Sequence, residues 1–222
     1  MTPDFELDKV RLFNCDCMDF MAEIPDNHYD LAIVDPPYGI KVGIDGKVGI
    51  DKCAPCKQYK PVKWDNNIPG EKYFLEVKRV SRNQIIWGVN YFPNLLGGRI
   101  VWDKNNSGNF SDCELAYQSF SKGTKMVKVT WNGMIQQDMK NKEKRIHPTQ
   151  KPIQLYKWLL TNYAKPNDKI FDSHGGSFSS ACAALDMGFE FDGCELDKDY
   201  FDSAVERIRN HSQLYLDFQE DK

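Results

Sequence analysis

Two stretches carry side chains whose types and spacing fit chemistry. In LAIVDPPYGI, residues 31–40, an apolar and partly β-branched run reads as a central strand ending at Asp35. Pro36 and Pro37 then remove two backbone donors and hold the chain extended, so that Tyr38 projects from a stiff loop. Ligands of open α/β sheets bind beyond the carboxyl ends of strands, which is where this acid and aromatic would stand. In FDSHGGSFSSACAALDMGFEFDGCELD, residues 171–197, Gly175 and Gly176 let the backbone approach a ligand closely at a helix start. Glu195 follows Gly175 by 20 residues, at the end of the next strand, where a carboxylate accepts hydrogen bonds from vicinal ribose hydroxyls. The glycines do not fit GxGxxG and no Walker lysine follows, so a ligand with a ribose but no pyrophosphate is expected. Read blandly, the same stretches are a strand-ending turn with an incidental tyrosine and a glycine turn beside an exposed acid.

The elements around these stretches follow from periodicity. Residues 10–14 (VRLFN) read as a strand leading to Asp16 and a helical turn. Residues 71–80 have amphipathic spacing, with Phe74, Leu75 and Val77 expected to face inward, and residues 84–89 and 99–102 are strand-like. Residues 126–131 (MVKVTW) alternate as a half-buried antiparallel strand would. Residues 152–164 form a helix with proline at its start. The last third reads strand 169–172, helix 178–187, strand 189–195 and helix 199–209. Strands alternating with helices imply a mostly parallel sheet covered on both faces. The Gly-, Lys- and Pro-rich residues 39–67, directly after the acid corner, are expected to be a substrate-side flap.

Composition limits the alternatives. A chain of 222 residues, 41% hydrophobic and 27% charged, suits one soluble domain over residues 1–222. No apolar run reaches the length of a membrane span, and the start MTPDFELDKV is too polar for a secretory signal, so a cytoplasmic location is expected. Seven scattered cysteines suit a reducing compartment. Cys53 and Cys56 form a CxxC without a second ligand pair, so no metal site is expected. A net charge of −3 argues against a globally basic nucleic-acid binder. Local basic segments remain, around Lys57, Lys60 and Lys63 and from Lys140 to Lys151.

Four blocks in one order carry a family resemblance: DPPY at 35–38, HPTQKP at 147–152, FDSHGGS at 171–177 and GCELDKDYF at 193–201. Together they resemble the β-class amino-group DNA methyltransferases, over nearly the whole chain. The resemblance implies use of S-adenosylmethionine and a circularly permuted Rossmann-like fold, α/β with a mostly parallel sheet, helices on both faces and an antiparallel strand. Position by position it implies that Phe171, Asp172, Ser173, His174, Gly175, Gly176 and Ser177 form the cofactor loop. Glu195 would be the ribose ligand, Asp16 the acid near the adenine ring, and Gln150 and Lys151 would close over the cofactor. Where the family commonly reads DPFxGSG, this chain has Ser173, His174 and Phe178. An imidazole would there take the place of a phenyl ring against the cofactor, and Phe178 is expected to crowd the loop.

The resemblance assigns catalysis to Asp35, Pro36, Pro37 and Tyr38. The exocyclic amine of adenine or cytosine is a poor nucleophile because its lone pair is delocalised into the ring. Asp35 and the Pro36 carbonyl would accept its hydrogens and aim the lone pair at the methyl group, so that catalysis is positioning and preorganised dipoles. Tyr38 would stack on a base taken out of the duplex. Asp at the first position resembles adenine-N6 members more than cytosine-N4 members. The substrate implied is double-stranded DNA, with residues 105–145 as a reduced target-recognition region and with a homodimer and a cognate restriction endonuclease as partners. Cytosine-N4 methylation, RNA or protein N-methylation, and a non-catalytic DNA-binding scaffold are the alternatives.

Overall fold

A computed structural model of the chain describes residues 1–41, 59, 64–106, 111–132 and 135–220. The strands are β1 (Phe5–Leu7), β2 (Val10–Phe13), β3 (Tyr29–Val34), β4 (Ser81–Trp87), β5 (Gly98–Asp103), β6 (Cys113–Gln118), β7 (Thr124–Lys128), β8 (Trp131–Asn132), β9 (Ile135–Gln136), β10 (Lys169–Asp172) and β11 (Glu190–Cys194). The α-helices are α1 (Cys17–Ala22), α2 (Glu71–Val80), α3 (Ile153–Tyr163), α4 (Ser179–Met187) and α5 (Lys198–Glu220). Among the described residues nine strands form one sheet in the order β1-β2-β11-β10-β3-β4-β6-β5-β7, and β8 and β9 make a separate ribbon.

From β2 through β11, β10 and β3 to β4 the pairing is parallel throughout, which is the α/β architecture expected. The central strand β3 is buried on both faces, so its second half, Leu31 to Val34, reads as a continuous apolar run. Leu31 and Ile33 of β3 pack with Leu155, Leu159 and the alanines of α4 on one face, while Ala32 and Val34 pack with Phe20 of α1 and Tyr73, Val77 and Val80 of α2 on the other. Burying a side chain of this kind stabilises the fold by about 1.5–3 kcal/mol, which outweighs the weak strand preference of any single residue.

The sheet departs from the sequence reading at its far side. The antiparallel strand on this side is β6, bonded to β4 and β5, a segment without a clear alternation, whose first residue is exposed and next two half-buried; at the opposite edge β1 also runs antiparallel, to β2. The expected antiparallel strand is instead β7, which ends at Lys128 and runs parallel to β5, and Trp131 belongs to the small ribbon. β6 and β7 take much of residues 105–145 into the main sheet. On α2 the inward residue is Tyr73 rather than Leu75, which is 57% exposed, since the buried stripe runs Tyr73, Val77, Val80. Helix α5 continues well past residue 209. Most of the expected flap, with Cys53, Cys56, Lys57, Lys60 and Lys63, lies outside the described residues.

Candidate active site

Parallel pairing decides where the two chemical stretches meet. Ile170 of β10 lies opposite Leu31 of β3, so the corner after β3 and the glycine turn after β10 leave the same sheet edge side by side. On the other flank Cys194 of β11 pairs with Phe13 of β2, which brings Glu195 and Asp16 to that edge as well. A cavity of about 610 Å³ opens along these four strand ends. Asp16, Asp35, Pro37 and Glu195 line it, together with Gln150, Lys151 and the turn from Ser173 to Ser177. Phe171 and Asp172 do not line it. Phe171 is a core ring stacked between Phe20 and Tyr29, at centroid distances of 5.7 and 4.8 Å.

The corner is held from below and charged from the side. The backbone N–H groups of Tyr38 and Gly39 donate to Asp65 Oδ1 at 2.7 and 2.9 Å. Asp65 is a buried acid that the sequence reading missed, because WDNN carries no period or motif. Gly88, at φ +77°, leaves room for the Tyr38 ring: a Cβ there would lie 2.2 Å from Tyr38 Cε1. The Tyr38 hydroxyl donates to Asp35 Oδ1 at 2.5 Å, and Lys151 Nζ donates to Asp35 Oδ2 at 2.5 Å. Burial pushes the Asp35 carboxyl up against the pull of Lys151. Burial alone would lower the Lys151 ammonium, but Asp35 and Glu114 hold it above its ordinary value. Lys151 therefore stands on the acid of the corner as well as beside the cavity, a placement that the HPTQKP spelling does not reveal. Glu114, also unread in the sequence, ion-pairs with Lys151 at 3.2 Å and with Lys104.

The turn after β10 is shaped by small residues and hydrogen bonds. Asp172 accepts from the His174 N–H at 3.1 Å and from Ser180 Oγ at 2.6 Å, and burial pushes its carboxyl up to about 7. Its carboxyl lies under the loop, behind the cavity lining. Ser173 Oγ lies 2.7 Å from the Tyr73 hydroxyl of α2 and 2.9 Å from His174 Nδ1, which fixes the imidazole at the cavity wall. Glu195 Oε2 accepts from the Gly176 N–H at 2.7 Å and Oε1 from the Asp197 N–H at 2.8 Å. Each oxygen keeps a further lone pair for a ligand. Asp16 caps α1 through Oδ1, at 2.7 Å from the Met18 nitrogen. The Gln150 side chain accepts from the Ile146 N–H at 2.9 Å, so it orders the preceding loop while bordering the cavity.

Phe178 does not crowd the loop. Its ring is fully buried, away from the cavity, between Phe191 and Phe201. Gly175 and Gly193 make the room: a Cβ would meet the ring at 2.0 Å on the first and 2.5 Å on the second. Phe178 adopts φ +50°, a left-handed conformation that costs a non-glycine residue roughly 1–2 kcal/mol, and burial of the ring offsets it.

The lining indicates what the cavity can hold. Four carboxylates, Asp16, Asp35, Glu195 and Asp197, border it, while its lysine, Lys151, is ion-paired. Burial lowers His147 to about 3 and His174 to about 4, so both rings are neutral near pH 7. An acidic wall of this kind repels phosphate and suits a nucleoside that carries positive charge. The volume lies within the ~300–1,000 Å³ range of small-molecule sites. A neighbouring cavity of about 410 Å³ shares Thr149, Gln150 and Lys151 with the first and is lined by Tyr38, Tyr91, Trp102 and Trp131. Tyr91 stacks on Tyr38 at 5.0 Å, and the Arg145 guanidinium lies 4.5 Å over Trp131.

Comparison with known proteins agrees with this geometry. The N6/N4 DNA methylase family model matches residues 101–206. The Type II methyltransferase M.HinfI of Haemophilus influenzae is 25% identical over 87% of this chain and 67% of its own length. The putative methylase YubD of Escherichia coli K12 is 25% identical over 89% of each chain. In fold, the chain resembles the M1.HpyAVI–SAM complex, with a TM-score of 0.59, 18% identity and coverage of 89% of this chain and 99% of that one. It also resembles the cytosine-N4-specific PvuII DNA methyltransferase, with a TM-score of 0.63, 11% identity and coverage of 95% and 93%.

Proposed function

We propose that this chain, whose residues 101–206 match the N6/N4 DNA methylase family model, is an amino-methyltransferase that methylates the N6 amino group of adenine at a short sequence in double-stranded DNA. The observation that carries the reading is the opening of the Asp35 corner and the Gly175–Gly176 turn on one cavity. S-adenosylmethionine, the cofactor of the family, supplies a methyl group on a sulfonium centre when bound. The acid-rich lining fits its positive charge, with Glu195 placed for ribose hydroxyls and Asp16 for the adenine side.

The rest is work for this chain's own side chains. Asp35 and the Pro36 carbonyl accept the two amine hydrogens and turn the lone pair toward the cavity. Asp35 is preorganised for this by Tyr38 and Lys151. An extruded base replaces Tyr91 as the stacking partner of Tyr38. Stacking of that kind is worth roughly 1–3 kcal/mol and offsets part of the unstacking cost. Asp rather than Ser at the first corner position supports adenine over cytosine. Target recognition is assigned to the parts of residues 105–145 outside β6 and β7, with Lys140, Lys142 and Lys144 bordering phosphates while Lys151 is taken up by the corner, and a second copy or a cognate endonuclease would extend the system. Among the described residues no helix is long and apolar enough to cross a membrane.

The test is expression in a host without DNA methylation, followed by genome-wide mapping of modified bases. N6-methyladenine at one short motif, lost in Asp35→Ala, is the expected result. N4-methylcytosine at that motif would reassign the base. An unmodified genome, with methyl transfer to RNA or protein in vitro, would overturn the reading.

A further inference from the structure

The Lys151 ammonium sits among three oxygens: Asp35 Oδ2 at 2.5 Å, Glu114 Oε2 at 3.2 Å and the Tyr38 hydroxyl at 3.3 Å. The lysine side chain is only 3% exposed, so this charge is settled by protein groups rather than by water. Glu114 is bound in turn by Lys104. The result is a chain of alternating charge, Lys104, Glu114, Lys151, Asp35, that runs from the end of β5 across the start of β6 to the corner after β3. The antiparallel direction of β6 makes it possible: Ala116 pairs with Trp87 at the end of β4, so Glu114 projects past the same edge as Asp35. A parallel strand in that slot would bring its last residues there instead.

We propose that Glu114 is a positioning residue for methyl transfer, holding one side of the Lys151 ammonium so that Lys151 engages a single oxygen of Asp35 and does not fully offset the charge with which that carboxylate accepts the amine hydrogen. This rests on the reading of Asp35 as the group that orients the amine. Without Glu114 the lysine has one carboxylate partner and draws the Asp35 charge wholly onto itself. A hydrogen-bond acceptor neutralised in that way is a weaker acceptor for the base. Glu114 itself touches neither the base nor the methyl group and takes no proton. Lys104 keeps it ionised, and with Lys151 it holds the Glu114 carboxyl below the ordinary value despite burial.

The charge effect has a direction. Glu114 raises both the Asp35 carboxyl and the Lys151 ammonium, so its neutralisation moves both titrations to lower pH. The other ionisable groups facing this pair are Tyr38, Tyr73, Tyr156, Asp172 and His147, all of which stay in place in Glu114→Gln.

The test compares wild type, Glu114→Gln and the double variant Lys104→Met/Glu114→Gln on duplex DNA carrying the mapped motif. The expected result for Glu114→Gln is a fall of about tenfold or more in kcat, with KM for DNA and calorimetric Kd for S-adenosylmethionine within about twofold of wild type. Its pH–rate window moves to lower pH, and the double variant moves it part of the way back. A fall in kcat with an unmoved window would mean a merely structural role, and an unchanged kcat would mean none; either overturns the proposal. A second readout needs no turnover. In protein labelled with 15N-lysine, the Nζ resonance of Lys151, assigned through Lys151→Arg, should titrate at lower pH in Glu114→Gln. If wild type transfers no methyl to DNA, the functional reading fails, and the lysine titration still decides whether Glu114 controls the pair.

Discussion

The corner after β3 and the turn after β10 sit side by side on one sheet edge and are built by opposite means. At the corner, order comes from charge: Asp35 is held by Lys151 and Tyr38, and the backbone is pinned by Asp65. At the turn, order comes from missing side chains: Gly175 and Gly193 are empty where the Phe178 ring lies, and Gly176 leaves its space beside His147. The difference teaches that chemistry and ligand shape are separable here. Changes at the corner should alter rate more than fold, and changes at the turn should alter fold and cofactor affinity more than intrinsic chemistry.

The largest effect should come from Asp35→Asn, which keeps the shape of the corner and removes its charge. Methyl transfer should fall by about 10²–10³-fold, the usual loss when a preorganised polar group is removed, with calorimetric affinity for S-adenosylmethionine nearly unchanged. A tritium-methyl assay on duplex DNA reads the first and calorimetry the second. Equal losses in both would break the separation.

On the turn side, Phe178→Gly puts back the residue suited to a left-handed backbone. Relief of about 1–2 kcal/mol of strain is set against about 3–5 kcal/mol for the loss of a buried ring, so the variant should be less stable by roughly 1–4 kcal/mol in urea melts. A more stable variant would show that the ring is tolerated rather than needed.

The His147 beneath Gly176 gives the turn a pH signature in stability. Its folded value of about 3 is below the ordinary one near 6.5, so between these values the folded chain binds fewer protons than the unfolded chain. Its contribution is complete above about pH 6.5 and is lost as the pH falls toward 3. At pH 5 the loss should be roughly 2 kcal/mol, and His147→Gln should flatten that part of the stability curve. Parallel curves for the two proteins would place the histidine outside the packing of the turn.

The smallest effect is expected for Gly176→Ala. At φ +53° an alanine costs about 1 kcal/mol, and its Cβ would meet the His147 ring at 3.3 Å, a contact the ring can relax. Thermal melts should show a fall in Tm of a few degrees, with a larger proportional fall in cofactor affinity. An unchanged affinity would separate this glycine from the ligand surface.

Much of this was legible in residue order, for local reasons. The apolar run before Asp35, the prolines after it, the glycine pair before α4 and the proline before α3 act on their own backbone, and these elements lie where they were read. β6 was not legible, because Gln118 is buried through hydrogen bonds to Ser121 and Gly123 rather than by apolar character. The face of α2 was misread because an exposed Leu75 stands beside the true stripe through Tyr73. Phe178 was legible as a departure, but the inward packing of its ring was not, since the room for it is made partly by Gly193 on another strand.

By itself the sequence determined the parts: a strand ended by an acid, a stiffened aromatic, a glycine turn, and an acid at the next strand end. These depend on sterics and period among neighbours in the chain. Only the tertiary structure decided that Lys151 reaches Asp35 across 116 residues, that Glu114 stands behind it, and that both motifs open on one cavity. Ion pairing and cavity shape depend on which strands lie side by side and in which direction they run, and that is fixed by burial of both sheet faces rather than by any local run of residues.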